Sequence, residues 1–145
     1  MIKLQKGIFI AIFAFLLTAE SKAVIKDRIF ATVGDKVITR SDVINEIKTI
    51  LILNDQAYSE DIKLKLDNAA INSLTNRLIK KIEIEKYPNL RFEKEDVFKE
   101  IKNYATNLNM DVDAFKQVFV TNEINFSSIM ERIEIDLLWN SLVFA

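Results

Sequence analysis

The sequence predicts a mainly α-helical protein in which a short N-terminal β-hairpin is followed by about five helices. Beyond residue 40, apolar residues recur at intervals of three and four, which is the periodicity of amphipathic helices. The 145 residues include only 2 Gly and 1 Pro, too few for the tight turns of sandwiches and barrels. The length fits a single domain.

The composition excludes several classes of function. The chain has no His and no Cys, so it has no thiolate or imidazole ligands for zinc, no Cys or Ser-His nucleophile and no disulfide. Its 20 Lys and Arg residues are balanced by 21 Asp and Glu residues. We therefore expect no nucleic-acid partner, because such proteins carry a concentrated positive charge.

The first 23 residues have the pattern of a secretory signal peptide. Two lysines within residues 1–6 precede an apolar run over 7–17, and Ser21-Lys22-Ala23 places small residues where a signal peptidase reads them. As a helix, that run would be about 16 Å long, against roughly 30 Å of hydrocarbon in a bilayer. We expect cleavage after Ala23; the alternative is an uncleaved membrane anchor.

Cleavage would leave residues 24–145 as one domain with 17 basic and 20 acidic residues, after removal of Lys3, Lys6, Glu20 and Lys22. This mild net acidity argues against anionic lipid or a phosphate backbone as a partner, since both need a positive surface.

The domain is predicted to begin with a β-hairpin. Residues 28–33 and 36–39 are rich in β-branched residues and flank Gly34-Asp35, a turn sequence. Ile29, Ala31 and Val33 alternate with Phe30 and Thr32, which predicts one apolar face. Two strands alone are marginal in water, so a third strand or a helix must cover that face.

Capping residues and apolar stripes predict the helices. Thr39 and Asp42 form a capping box before a helix that buries Val43, Ile47, Ile50 and Leu51 and frays near Asn54. The second helix opens at Ser59, stops before Pro88 and carries Leu66, Ala70, Leu74, Leu78 and Ile82. The third starts at Glu93 and carries Val97, Ile101, Tyr104 and Leu108.

Two further helices complete the predicted domain. Asp111 caps a brief one that carries Phe115 and Phe119, and Asn125 caps the last, with Ile129, Ile133, Leu137 and Trp139. Its periodicity continues to Ala145 without a C-cap, so we expect the domain to be C-terminally truncated.

Residues 29–43, IFATVGDKVITRSDV, closely resemble the opening of the SurA family of periplasmic outer-membrane-protein chaperones. In that family a hairpin leads directly into a helix. Residues 74–82 resemble an apolar helical stripe of the family, and residues 107–115 resemble its connector and next helix start. The likeness runs from about residue 29 to 142, and it implies a fold like that of the SurA N-terminal domain.

The resemblance implies a periplasmic module that binds unfolded outer-membrane proteins without ATP, nucleotide, metal or other cofactor, and that meets the membrane only through its signal segment. SurA relatives usually continue into parvulin-type peptidyl-prolyl isomerase domains, which rely on His residues and Gly-rich turns. This chain has no His, and Gly34 is its one Gly after the signal, so no catalytic residue is expected. Without the family's C-terminal closing segment, residues 24–145 should be marginally stable or oligomeric.

The candidate peptide-binding residues are Met110, Phe115, Phe119, Phe126 and Met130. Met and Phe offer apolar area that repacks easily around different clients. The same spacing fits a helical core, where large apolar side chains usually lie. Two other functions remain open: the front part of a parvulin-type isomerase, and a membrane-anchored periplasmic foldase subunit if the first 23 residues are retained.

Overall fold

A computed structural model describes residues 27–144, so the predicted signal peptide lies outside the described residues. In this part of the chain a two-stranded sheet precedes five α-helices, as the sequence predicts. The elements are β1 (Ile29–Val33), β2 (Lys36–Thr39), α1 (Arg40–Leu53), a short 3-10 helix (Glu60–Ile62), α2 (Lys63–Ile84), α3 (Lys94–Asn107), α4 (Val112–Thr121) and α5 (Phe126–Val143).

The hairpin turns at Gly34, whose φ of +61° lies in the left-handed region that glycine adopts without strain. Its inner face packs on helices through Ala31, Val33 and the fully buried Ile38. The strand register shifts between Ile29 and Ala31, which marks an irregularity of the β-bulge kind. A bulge breaks the alternation of side chains, and Ile29 is exposed whereas Ala31 and Val33 are partly buried.

Helix α1 starts at the predicted capping box. The Asp42 amide donates to Thr39 Oγ1 at 3.2 Å, and the Thr39 amide donates to Asp42 Oδ2 at 2.8 Å. Together with α2, this helix covers the hairpin and forms the first of two apolar clusters. Its buried members are Ile38, Val43 and Ala70, with Ile47, Ile50, Ile71, Leu74 and Leu78 partly buried around them.

Helices α3, α4 and α5 form the second apolar cluster. At its centre, the rings of Phe115 and Phe119 pack edge to face with centroids 5.0 Å apart. Phe126 lies within 6.0 Å of both rings. The buried members are Val97, Ile101, Ala105, Phe115, Phe119, Ile124, Ile129 and Ile133. The edge-to-face contacts among the three Phe rings are an arrangement that aromatic rings favour, and they hold α4 against α5.

Three helices end in the same unusual way. After α1, the Gln56 amide donates to Leu51 O and the Asp55 amide donates to Ile52 O, which is the hydrogen-bond pattern of a Schellman motif. The same pair of bonds closes α3 and α4. The left-handed position, usually glycine, is occupied by Asp55, Asn109 and Glu123, with φ of 48°, 55° and 61°.

Across residues 27–144, no helix combines the length and the apolar character needed to cross a bilayer.

Candidate functional site

An apolar groove of about 500 Å³ lies where α1, α3 and α4 end. Its lining residues, which we call the groove, are Lys48, Leu51, Ile52, Asp55, Gln56, Ala57, Leu108, Met110, Val118 and Asn122. Binding sites for small ligands commonly have volumes of roughly 300–1,000 Å³. The groove therefore has room for a few side chains of a bound molecule.

The Schellman ends shape this groove. Each one turns the chain sharply after its helix, so Asp55 and Gln56 follow α1 along one border, and Met110 follows α3 along another. Val118 and Asn122 belong to the last turns of α4. The groove is thus assembled from three separate helix ends, and six of its ten lining residues are apolar.

Lys48 connects two of these ends. Its ammonium donates to the backbone oxygen of Asn122, the C-cap of α4, at 2.9 Å, and lies 4.0 Å from a Glu123 carboxylate oxygen. A cation at a helix C-terminus is stabilised by the free carbonyls and by the helix dipole. This contact holds the last turns of α1 against the end of α4.

The structure separates the predicted peptide-binding residues. Met110 lies in the groove and is 38% exposed. Phe115 and Phe119 are fully buried, and Phe126 and Met130 are partly buried against the same cluster. In this conformation, a bound polypeptide could reach Met110 directly, whereas the two buried rings support the wall from behind.

A second polar feature lies between the two apolar clusters. Glu46, on α1, is only 4% exposed. It accepts hydrogen bonds from Ser73 Oγ at 2.6 Å and Arg77 Nη2 at 2.6 Å, both on α2, and from Arg132 Nη1 at 2.8 Å, on α5. These four residues, the Glu46 network, join three helices through one carboxylate.

Two opposing effects set the pKa of Glu46. Burial raises it, while the charges of Arg77 and Arg132 and the hydrogen bonds from Ser73 and Arg77 lower it. The lowering effects win, so the pKa lies below its ordinary value of 4.5. The carboxylate is therefore ionised at neutral pH and held by fixed donors, which suits a structural tie rather than a proton carrier.

Sequence reasoning missed Glu46. The signal was present, because Glu46 lies three residues after Val43 and one before Ile47, within the stripe predicted to be buried. A carboxylate on a buried helical stripe needs a basic partner, since an unpaired buried charge is costly. Its partners lie 31 and 86 residues further along the chain, so sequence spacing could not identify them.

No protein-family model matches the chain, and the comparisons with curated proteins and with solved structures found no significant match.

Proposed function

We propose that the chain is an exported, periplasmic chaperone module that holds unfolded outer-membrane polypeptides without ATP, with a fold of the SurA N-terminal type. The sequence resemblance over residues 29–43 suggests the class. The open apolar groove between α1, α3 and α4 is the single observation that carries the proposal, because a holdase needs accessible apolar surface for a client to touch.

The size of the groove suits weak and reversible binding. Burying two or three apolar side chains of a client contributes about 1.5–3 kcal/mol each. Loss of motional freedom and ordering of the client offset about 4 kcal/mol or more of this gain. Even three side chains at about 3 kcal/mol each then leave only about 5 kcal/mol, which corresponds to a dissociation constant of about 0.2 mM, so a client is released without an energy source.

The adaptability of the groove also fits clients of varied sequence. Met110 is flexible and polarizable, so it can pack against aromatic and aliphatic side chains alike. Leu51, Ile52 and Val118 add aliphatic side chains to the lining, which can contact apolar residues of many shapes.

The test is an aggregation assay. A urea-denatured β-barrel protein is diluted into buffer with or without the purified full chain, and light scattering is recorded in the absence of nucleotide. We expect the chain to slow aggregation in proportion to its concentration. Unchanged scattering would remove the proposed function.

A matched pair of variants locates the activity. Ala57→Trp places a large ring in the groove lining, whereas Ala69→Trp makes the same change on an exposed position of α2 outside it. We expect Ala57→Trp to lose most of its protection against client aggregation and Ala69→Trp to keep it. Equal protection by both variants would mean that clients bind elsewhere on the chain.

A further inference from the structure

We infer that the groove selects client segments in which apolar residues are flanked by lysine or arginine, and that it disfavours segments flanked by acidic residues. This inference rests on the proposed function and specifies the clients that the groove takes. Its basis is the sign of the electrostatic field at the groove, which follows from the helix ends and side chains that surround it.

The helix ends contribute the first part of this field. The groove lies at the C-termini of α1, α3 and α4. Each helix C-terminus carries a partial negative charge of roughly half an electron, concentrated on its last carbonyl groups. Because Lys48 already occupies the end of α4, the ends of α1 and α3 contribute most of this partial charge where a client would lie.

Acidic side chains contribute the second part. Asp55 lines the groove, and Asp111 and Glu123 directly follow the lining residues Met110 and Asn122. Lys48 is the basic residue of the lining. Within the lining, Asp55 and Lys48 balance, so the excess negative charge comes from Asp111 and Glu123 beside it. The Glu123 side chain is 91% exposed, so it is accessible to a client's charge.

Lys48 is an example within this chain of a cation bound at a helix C-terminus. Its ammonium donates to the carbonyl of Asn122, the C-cap of α4, and lies beside Glu123, at the distances given above. A lysine or arginine of a client would meet the same kind of surroundings at the ends of α1 and α3. An aspartate or glutamate would meet carbonyl oxygens and carboxylates, which repel it.

The preference should be moderate and dependent on salt. Solvent-exposed ion pairs and helix-dipole contacts are individually weak, so we expect a lysine-flanked peptide to bind about fivefold to twentyfold more tightly than a glutamate-flanked one. Raising the salt from about 0.01 M to about 1 M shortens the Debye length from about 30 Å to about 3 Å and should remove most of this difference.

Three fluorescently labelled peptides test the inference. They share one alternating Phe and Val centre and carry two Lys, two Gln or two Glu residues at each end. Their dissociation constants for the purified full chain are measured by fluorescence anisotropy at low and high salt. The variant Asp55→Asn/Glu123→Gln removes two groove carboxylates, and Glu95→Gln, on the first turn of α3, is the matched control.

We expect the order Lys, Gln, Glu from tightest to weakest. Asp55→Asn/Glu123→Gln should reduce the ratio between the Lys and Glu peptides while leaving the Gln peptide unaffected, and Glu95→Gln should change neither. Equal binding of all three peptides would overturn the inference and leave the proposed function standing. Absence of binding by every peptide, together with unchanged client aggregation, would overturn both. If Glu95→Gln changes the ratio between the Lys and Glu peptides as much as the double variant does, the groove carboxylates are not the source of the preference and the inference is overturned.

Discussion

Replacing Glu46 by alanine should destabilise the fold far more than the loss of any exposed ion pair. Glu46 is buried, and its carboxylate binds Ser73, Arg77 and Arg132 from two other helices. Removing it leaves two guanidinium groups near each other with no anion between them. The hydroxyl of Ser73 loses its acceptor as well.

The magnitude follows from how far water can replace the lost partner. Removing one member of a buried ion pair typically costs about 3–5 kcal/mol, because an uncompensated charge stays behind. The side chains of Arg77 and Arg132 are 20% and 22% exposed, so each can turn partly towards water. We therefore expect the lower end, a loss of about 3 kcal/mol in the free energy of unfolding.

Urea unfolding followed by far-ultraviolet circular dichroism measures this loss. With a slope of about 1–3 kcal/mol per molar urea, the midpoint should fall by about 1–3 M. Glu131→Ala is the matched control, because Glu131 also joins α5 to α2, through Lys81, but its side chain is 52% exposed. Its loss should be about 1 kcal/mol or less, as for other surface pairs.

Glu46→Gln provides a second measurement, since it keeps the shape and part of the hydrogen bonding but removes the charge. If Glu46→Ala gives no cooperative transition, Glu46→Gln should still unfold cooperatively, with a urea midpoint below that of wild type. The reasoning is refuted if Glu46→Ala and Glu131→Ala lower the midpoint equally, because burial of the Glu46 network would then have no energetic consequence.

The structure makes three further predictions, and the sequence makes a fourth. The pKa of Glu46 in the folded state lies below 4.5, so its ionised carboxylate stabilises the fold above pH 4.5, and this stabilisation is lost as the pH falls towards the folded pKa. In urea melts, the stability difference between wild type and Glu46→Gln should therefore shrink below pH 4.5. Phe119→Ala should cost about 3–5 kcal/mol in the same melts, because it leaves a cavity among fully buried rings, and a loss below about 1 kcal/mol would contradict this packing. Glu123→Gly should raise the free energy of unfolding by about 0.5–1 kcal/mol by relieving a left-handed φ, and Asn109→Gly should raise it less because asparagine tolerates that conformation. N-terminal sequencing of the exported protein should begin at Val24, and an intact Met1 would contradict cleavage.

Local signals in the sequence predicted the helices and the hairpin. The capping box at Thr39 and the caps at Asp111 and Asn125 all form hydrogen bonds within three residues. Such short-range bonds depend on neighbouring residues alone, so sequence spacing is enough to locate them. The mainly helical fold with a β-hairpin is confirmed for the same reason, since amphipathic periodicity is also a local property.

Features that depend on residues far apart in the sequence could not be predicted from it. The stripe predicted to be buried on α1 included Ile47, Ile50 and Leu51, whereas Glu46 and Thr49 are the more deeply buried. Hydropathy favours isoleucine over glutamate at such positions, and only the arrival of Arg77 and Arg132 from other helices reverses that preference. The register shift after Ile29 was missed for a related reason, because it is a property of the paired strands.

The groove is the clearest case of a feature that no single segment encodes. Its three helix ends close without glycine, so the residues that form the Schellman turns give little warning in the sequence. Two polar contacts add to the apolar packing of α1: the Glu46 network holds its middle against α2 and α5, and Lys48 holds its last turns against α4. Because Glu46 and Lys48 are two residues apart on one helix, the same element that ties the two apolar clusters together also supplies a wall of the groove. Helix α1 therefore links the buried Glu46 network, which stabilises the fold, to the groove that it helps to line.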